Sequence, residues 1–495
     1  MTVRVRGACR AAMGLSVVFG LAVGFFAHPA SGQAYRAWVG SSVQMAQLRP
    51  VGLDTIPVSQ VVAASDGTLL HDGYPVQCSP SDVCTGYLPL SVERTFVATQ
   101  DAGVTFWGTG VSGLSATALV RIRTDLGGGV AWPRSDDEFD AMLAYAQYVR
   151  GTWRARAGRQ DVRSGLGISR FDGVSTSHER GALRFEAYGG RSLARGLREP
   201  SNEAARALDD FFVDQGVRLF GGAATVRTQR VTLTGRYHRE LLADRSGLDG
   251  ERAALDVTAV VPRVRLTGSV DYDFSFQQIG KAHLTAMTPL GDGRWIVELT
   301  GRRYVPYFEL STIWGFFEPV SYTEGLARVA WSPSSTLGVW SSGGLRSYAD
   351  SEAPVVIQPL EDQSWWADTG ARWALGDQWS VDARYRIEWG VGAFLSSGDV
   401  SVRRAVSSRL TAGVSAGAFQ QIEEYRLGEG RAYSLAGHAD WMMTDRLDVT
   451  GSFAITRHRD GGTVFTSPWN QTRAWTSVRW RVGSDPGLAN RGSRP

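Results

Sequence analysis

The sequence predicts an all-β chain closed into a single antiparallel transmembrane β-barrel, and three observations carry that expectation. The first is two-residue alternation, the mark of a strand with one apolar face. Over 381–389, Val381, Ala383, Tyr385, Ile387 and Trp389 fall on one side, with Asp382, Arg384, Arg386 and Glu388 on the other. Over 264–275, Val264, Leu266, Gly268, Val270, Tyr272 and Phe274 oppose Arg265, Thr267, Ser269, Asp271, Asp273 and Ser275. The runs at 114–123, 231–238 and 447–456 behave alike. Such runs extend over about 10–14 residues, the length of a tilted membrane crossing and longer than the usual strand of a soluble sandwich. The second observation is aromatic residues where strands end: Trp331 and Trp340 flank 332–335, and Trp373 and Trp379 flank 375–378. Rings apolar on one side and wet on the other suit a bilayer interface. The third is connections of two sizes. Tight turns near 110–113, 150–151, 229, 262–263, 291–293, 332–335, 375–378, 408–410 and 443–446 alternate with polar stretches at 126–140, 163–180, 243–250, 308–321, 350–363 and 459–470. Short turns on a periplasmic rim and long outer loops are the expected layout. Hydrocarbon satisfies no strand edge, so the sheet must close on itself.

At the N-terminus, Arg4, Arg6 and Arg10 precede an apolar run from Ala11 to Ala27 and a small-residue stretch, which reads as a cleaved secretory signal over 1–32. Cys9 leaves with it. A first strand is expected at 37–46. Residues 47–93 lack sustained alternation and form a long ordered loop or a small periplasmic or lumenal subdomain, so 33–93 stands apart from a barrel over 94–482. In the oxidising envelope the pair Cys78 and Cys84 is expected to close a local disulfide. Counting two strands per tight turn, with a last strand at 471–482, gives about 20 strands, within 16–22. The strand-like stretch 181–193 spoils the parity of that count. At 200–212, Ala204, Leu208 and Phe211 share a helical stripe capped by Ser201, read as a short helix in the pore or on a loop. A polar tail, 483–495, ends the chain.

Composition excludes several classes. Without Arg4, Arg6 and Arg10 the 52 basic residues fall to 49, equal to the 49 acids, and no basic cluster points to nucleic acid. The two mature cysteines have no histidine at ligand spacing, so neither a metal nor another cofactor is expected. Gly108, Gly110 and Gly113 match a dinucleotide-binding string, yet the residues after Gly113 alternate at period two instead of opening a helix, so the glycines read as a hairpin turn. Gly413, Ser415 and Gly417 match a hydrolase nucleophile elbow, which requires a strand-to-helix turn and converging partners. Ser415 lies inside an alternating run, and the chain reads as a non-enzyme; an embedded hydrolase is the competing reading.

The polar faces carry charge of both signs. Arg121, Arg123, Arg236, Arg265, Arg384, Arg386, Arg479 and Arg481 share expected lumenal faces with Asp271, Asp273, Asp382, Glu388 and Asp448. They solvate a water-filled interior, or they bias which solutes enter it.

Taken together, the signal, the alternation and the aromatic strand ends make 95–482 resemble the Gram-negative outer-membrane β-barrel proteins, which implies an outer-membrane location. The stretch Ala157-Gly-Arg-Gln-Asp-Val-Arg-Ser-Gly-Leu-Gly-Ile-Ser-Arg-Phe-Asp-Gly173 resembles a strand-and-loop segment of alginate-export-like porins. The chain departs from the family habit of ending on an aromatic residue. The functional expectation is a passive, porin-like channel for small polar or charged solutes, in contact with membrane lipid. A competing expectation is a sheath for a periplasmic or lumenal protein partner, such as a multihaem electron-transfer protein.

Overall fold

The computed structural model describes residues 34–49, 51–64, 67–72, 74–80, 82–108, 110–126, 138–193, 217–242, 247–305, 321–349, 363–390, 395–424, 428–460 and 468–483. The expected signal segment, the helix at 200–212 and most of the polar tail lie outside them. Among the described residues, 22 strands form one antiparallel sheet in which each strand pairs with its predecessor and successor around the ring. The ring closes where Ala34–Leu48 pairs with Trp469–Gly483 on one side, Trp38 opposite Arg481, and with Glu93–Trp107 on the other, Trp38 opposite Gly103. The strand number falls within the expected range. Barrel strands span 10 residues, as in Leu183–Ser192, to 15, as in Ala34–Leu48.

Two expectations near 160–230 are corrected together. The stretch 163–180 is not a polar connection: Trp153–Ser164 and Gly167–Arg180 form a hairpin. The strand-like 181–193 is the next strand, Leu183–Ser192, so the odd count disappears. Polar alternation in 167–180 looks like loop sequence because the strand has few large apolar residues on its outer side.

The two rims differ as expected. The tight turns named in the sequence and both ends of the barrel lie on one rim, while the four-residue turn between Asp273 and Gln278 lies on the other. The connections spanning 126–137, 193–216, 305–321 and 349–362 leave from the other, as does 49–92. The segment 49–92 therefore springs from the rim opposite the tight turns. It folds on itself as two small sheets, one of Val51–Pro57, Val83–Pro89 and Gln77–Cys78, the other of Val62–Ala63, Leu69–His71 and Tyr74–Pro75. Ile56, Val76, Cys84 and Leu88 form its core, and Cys78 is bonded to Cys84.

The outward face carries the exposed apolar side chains, among them Leu299 at 56 %, Leu345 at 66 % and Leu435 at 58 %. Near the tight-turn rim the outer face bears Trp153, Trp295, Trp331, Trp373, Trp379 and Trp441, with Trp295 and Trp331 stacked at 5.3 Å. Near the other rim it bears Trp365, Trp389, Tyr272 and Tyr433. From Trp365 to Trp373 and from Trp389 to Trp379 is 8–10 residues, about 27–34 Å along the strand and about 21–26 Å across a bilayer at ~40° tilt. That matches the apolar height of a membrane barrel, and the fold is a transmembrane one. Trp340 does not belong to the belt: it pairs with Gly370 and gives its indole N–H to Asp368, on the inner face.

Candidate functional site in the barrel lumen

Cross-strand register places the charged residues singled out in the sequence on the face opposite the exposed apolar belt, and most of them meet a partner there. Arg121 donates to Asp101 at 2.8 Å, and Arg236 to Asp256 at 3.1 Å with Glu186 at 3.9 Å. Arg123 continues the face of Arg121, opposite Thr99, and Arg265 stands opposite Val260 and Met287. Asp271 is paired with Arg252, and Asp448 with Arg481. Arg479 lies 5.1 Å over the Trp38 ring. Arg372 donates to Asp382 at 2.6 Å, Arg384 to Asp368 at 2.7 Å, and Arg386 to Glu388 at 2.9 Å. Asp273 differs: its carboxylate takes the backbone N–H groups of Ser275 and Phe276 at 2.8 and 3.2 Å, so it caps the turn after its strand. The wall is therefore laced by neutralised pairs, the expected state of opposite charges at cross-strand distance in a lumen.

Two groupings emerge that sequence reading missed. The first is the hairpin 153–180. Its base pairs with both neighbours, but the ladder to Glu138–Arg150 stops at Arg159 and the ladder to Leu183–Ser192 stops at Phe171. Between these points, 160–171 parts from Glu138–Arg150, while the Arg170 carbonyl still accepts from the Leu193 N–H at 2.8 Å. The exit is a row of glycines in register, Gly158, Gly173 and Gly190. A Cβ on Gly158 would stand 2.2 Å from the Ala144 carbonyl, and one on Gly173 2.1 Å from that of Gly189, while Gly158 has φ +118°. Only glycine fits so close an approach at that φ. The tip turns inward. Leu166 accepts from Arg252 at 3.4 Å, and a Cβ on Gly165 would lie 2.8 Å from Asp256, both partners on the inner face midway along Leu248–Val261.

The hairpin packs where the barrel interior is driest. Phe171, Val217, Leu219 and Gln160 are all buried. Gln160 donates to the Gly173 carbonyl at 3.0 Å and accepts from Ser175 at 2.5 Å. Phe171 stacks on Tyr188 at 5.7 Å, Tyr188 meets His238 Nδ1 at 3.0 Å, and His238 Nε2 meets Glu240 at 3.2 Å. Buried polar groups linked in this way hold one geometry. The hairpin is thus seated on the wall at its base and spans part of the lumen at its tip. It coincides with the segment whose residues resemble alginate-export-like porins, but sequence reading places a wall strand and an outer loop there.

The second grouping lies on the strands Trp295–Tyr304, Tyr322–Trp331, Leu337–Tyr348, Gln363–Leu375 and Trp379–Gly390. Glu324, 1 % exposed, is held between Arg302 and Arg346, and Arg346 continues to Glu388 at 3.1 Å. Trp366 reaches across the intervening strand at Gly344 to donate its Nε1–H to Glu324 at 2.7 Å. A Cβ at Gly344 would stand 2.8 Å from that nitrogen. Trp340 covers Gly370 in the same manner, its Cζ2 2.2 Å from where a Cβ would be. Toward the rim of long connections, Tyr304, Tyr322 and Tyr348 form a row across three strands with centroids 5.5 and 5.7 Å apart. No single segment announces these pairs, because tryptophan and glycine sit on different strands.

Ser415 lies mid-strand, opposite Ser401 and Ala436, not on a strand-to-helix turn. Gly108, Gly110 and Gly113 adopt φ of +76°, +85° and +81° between the strands Glu93–Trp107 and Leu114–Asp125. A Cβ on Gly113 would strike the Val149 carbonyl at 1.9 Å, which accounts for that glycine as a turn residue. One concave surface, lined by Leu284, Leu299, Gly301, Gly325 and Leu345, lies on the outer face toward hydrocarbon.

No protein-family model matches the chain, and no curated protein does. The chain is similar to several solved structures at low identity. One is described as the copper transporter OprC, with 12 % identity over 92 % of this chain and 82 % of that one, at a TM-score of 0.46. Another is the outer membrane protein opdK from Pseudomonas aeruginosa, with 10 % identity over 91 % and 99 %, at 0.42. A third is a BenF-like porin from Pseudomonas fluorescens Pf-5, with 10 % identity over 91 % and 99 %, at 0.41. At such identities and scores the likeness supports nothing about solutes. The class is that of closed transmembrane β-barrels, and function rests on the lumen itself.

Proposed function

We infer that this protein is a passive outer-membrane channel, admitting small polar or charged solutes without energy input and narrowed by the inward hairpin 160–171. The observation that carries this reading is the combination of a wall laced with cross-strand ion pairs and a ring of 22 strands, too wide for side chains alone to fill. A polar lining inside an apolar belt has no role in a solid core; it serves water and what water carries. Because most of the named charges sit in opposite pairs, ion selectivity is weak. The rim bearing both barrel ends faces the periplasm and the other rim faces outward. Lipid contacts the belt. The hairpin occupies space that a threaded haem protein would need, and Ser415 lacks the local geometry of a nucleophile elbow. The channel reading is therefore preferred to a sheath or an embedded hydrolase. Purified, folded barrel inserted into a planar bilayer is expected to give discrete conductance steps with a reversal potential near zero in a potassium chloride gradient. Folded barrel that inserts and never conducts would sink the reading.

A further inference from the structure

The lumen wall mixes charges of both signs, but one part of the outer face carries a single sign. On the neighbouring strands Gly428–Met442 and Leu447–Asp460, register sets Arg431 opposite Arg459, Tyr433 opposite Arg457 and Leu435 opposite Ile455. Alternation puts all six on the side of Phe453 and Trp441, which is the lipid side. From Leu435 and Ile455 toward the tight turns that side is apolar or small, with Leu435, Ile455, Phe453 and Trp441 all exposed.

Height follows from the strands. Trp441 lies in the aromatic belt near the tight turns, and Tyr433 in the belt near the other rim. The eight residues between them span about 20 Å across a bilayer at ~40° tilt, and Arg431 lies two residues beyond, about 5 Å further out. Arg457 and Arg459 are the register partners of Tyr433 and Arg431, so they stand on the same shoulder. Three guanidinium groups are thus gathered where hydrocarbon gives way to headgroups.

Like charges directly opposite one another on a sheet are destabilising. Here nothing in register relieves them: the flanking partners are Gln420, Ala418 and Asn470. Arg431, Arg457 and Arg459 are all exposed, and among the described residues Arg457 and Arg459 make no ion pair. Arg191 faces Arg218 in a similar way, but its other register partner is Asp172, which Arg159 holds. The cluster at 431–459 is therefore the more strongly one-signed. Guanidinium forks match phosphate oxygens two at a time. A phosphate monoester carries about −1.5 to −2 at neutral pH and suits three arginines better than the single charge of a phosphodiester. Charge at the shoulder with an apolar strip directly beneath is the complement of an amphiphile, not of a free ion.

We propose that Arg431, Arg457 and Arg459 clamp the phosphate monoester of a glycolipid in the outward leaflet, with Tyr433 against its sugar and Leu435 and Ile455 along its acyl chains. The inference rests on the placement of the belts in the membrane and not on conduction.

The test uses the full barrel, stripped of lipid in a nonionic detergent, titrated with lipid A and followed by native mass spectrometry. Lipid A is expected to bind more tightly than phosphatidylglycerol, a phosphodiester, and more tightly than its own dephosphorylated form; millimolar inorganic phosphate does not displace it. Each arginine removed is expected to weaken binding about fivefold, so Arg457→Gln with Arg459→Gln costs about 25-fold. Arg457→Lys with Arg459→Lys keeps the charge without the planar fork and falls between. Arg191→Gln with Arg218→Gln gives a smaller loss. Arg404→Gln, over the Trp379 ring on the outer face near the tight turns, leaves binding unchanged. Equal affinity for lipid A and phosphatidylglycerol, displacement by inorganic phosphate, or a loss at Arg191 and Arg218 as large as that at Arg457 and Arg459 would overturn the proposal. A barrel that conducts and ignores lipid A refutes the lipid clamp alone. Arg457-dependent binding by a barrel that never conducts leaves the clamp standing and refutes the channel.

Discussion

Excision of the inward hairpin tests the link between fold and permeation most directly. Gln160 and Phe171 are register partners, so deleting 161–170 and joining them through Asn-Gly closes the hairpin at the wall with a two-residue turn that strand twist favours. The gain in section comes from geometry. A ring of 22 strands spaced ~4.8 Å apart and tilted ~40° has a backbone diameter of about 44 Å. Inward side chains take ~5 Å on each side, which leaves about 34 Å and a section of about 900 Å². A two-stranded ribbon is ~10 Å wide and ~10 Å thick, so it removes about 100 Å² where it runs along the wall and about twice that where it crosses. Excision is therefore expected to raise single-channel conductance by about 10–30 %, with a larger gain for bulky organic ions than for potassium. A companion variant, Gly165→Cys with Asp256→Cys, places two thiols where the tip meets the wall; oxidation should cross-link it, detected by mobility on a non-reducing gel, and hold conductance at the parental value. Unchanged or lower conductance after excision, from a protein that still folds as a barrel, would refute the assignment of 160–171 as a constriction. A tip that never cross-links would remove the contact on which that assignment stands.

The same wall yields further expected outcomes. Glu324→Gln leaves Arg302 and Arg346 beside a neutral amide in a buried site; because Arg346 keeps Glu388, the cost is expected near the lower end of the ~3–5 kcal/mol for breaking a buried pair, read as reduced resistance to urea. The same variant should move the reversal potential toward anion preference, and an unshifted potential would mean that this sector lies off the ion path. Leu299→Arg puts charge on the outer face at mid-strand and should cost about 2–4 kcal/mol of folding into lipid vesicles, while Thr300→Arg, one residue on and facing inward, should be tolerated. Equal penalties at the two positions would contradict the assignment of faces.

Much of this architecture is legible from the chain alone. Val381 to Trp389 announce a strand with one oily side because period two is a local property, and charge on the opposite side announces a polar interior. The glycines at 108–113 announce a turn. Trp340 reads as a belt residue in sequence, since a tryptophan near a turn suits either face until its partner is known. The hairpin is equally opaque: its polar alternation resembles an outer loop, and the row Gly158, Gly173 and Gly190 becomes meaningful only when three strands are aligned. Glu324 carries no local signal, although it is among the most deeply buried carboxylates of the wall.

The sequence by itself determined that the chain is a set of one-sided ribbons, and the solvent on their apolar side then required closure, because hydrocarbon leaves no edge unpaired. Register was decided only in the tertiary structure. It chose which arginine meets which carboxylate, laid Trp366 over Gly344 to reach Glu324, and sent 160–171 into the lumen to meet Arg252 and Asp256. The physical reason is that alternation is encoded between neighbours along one strand, whereas these contacts join residues separated by tens of positions and exist only once the ring has closed.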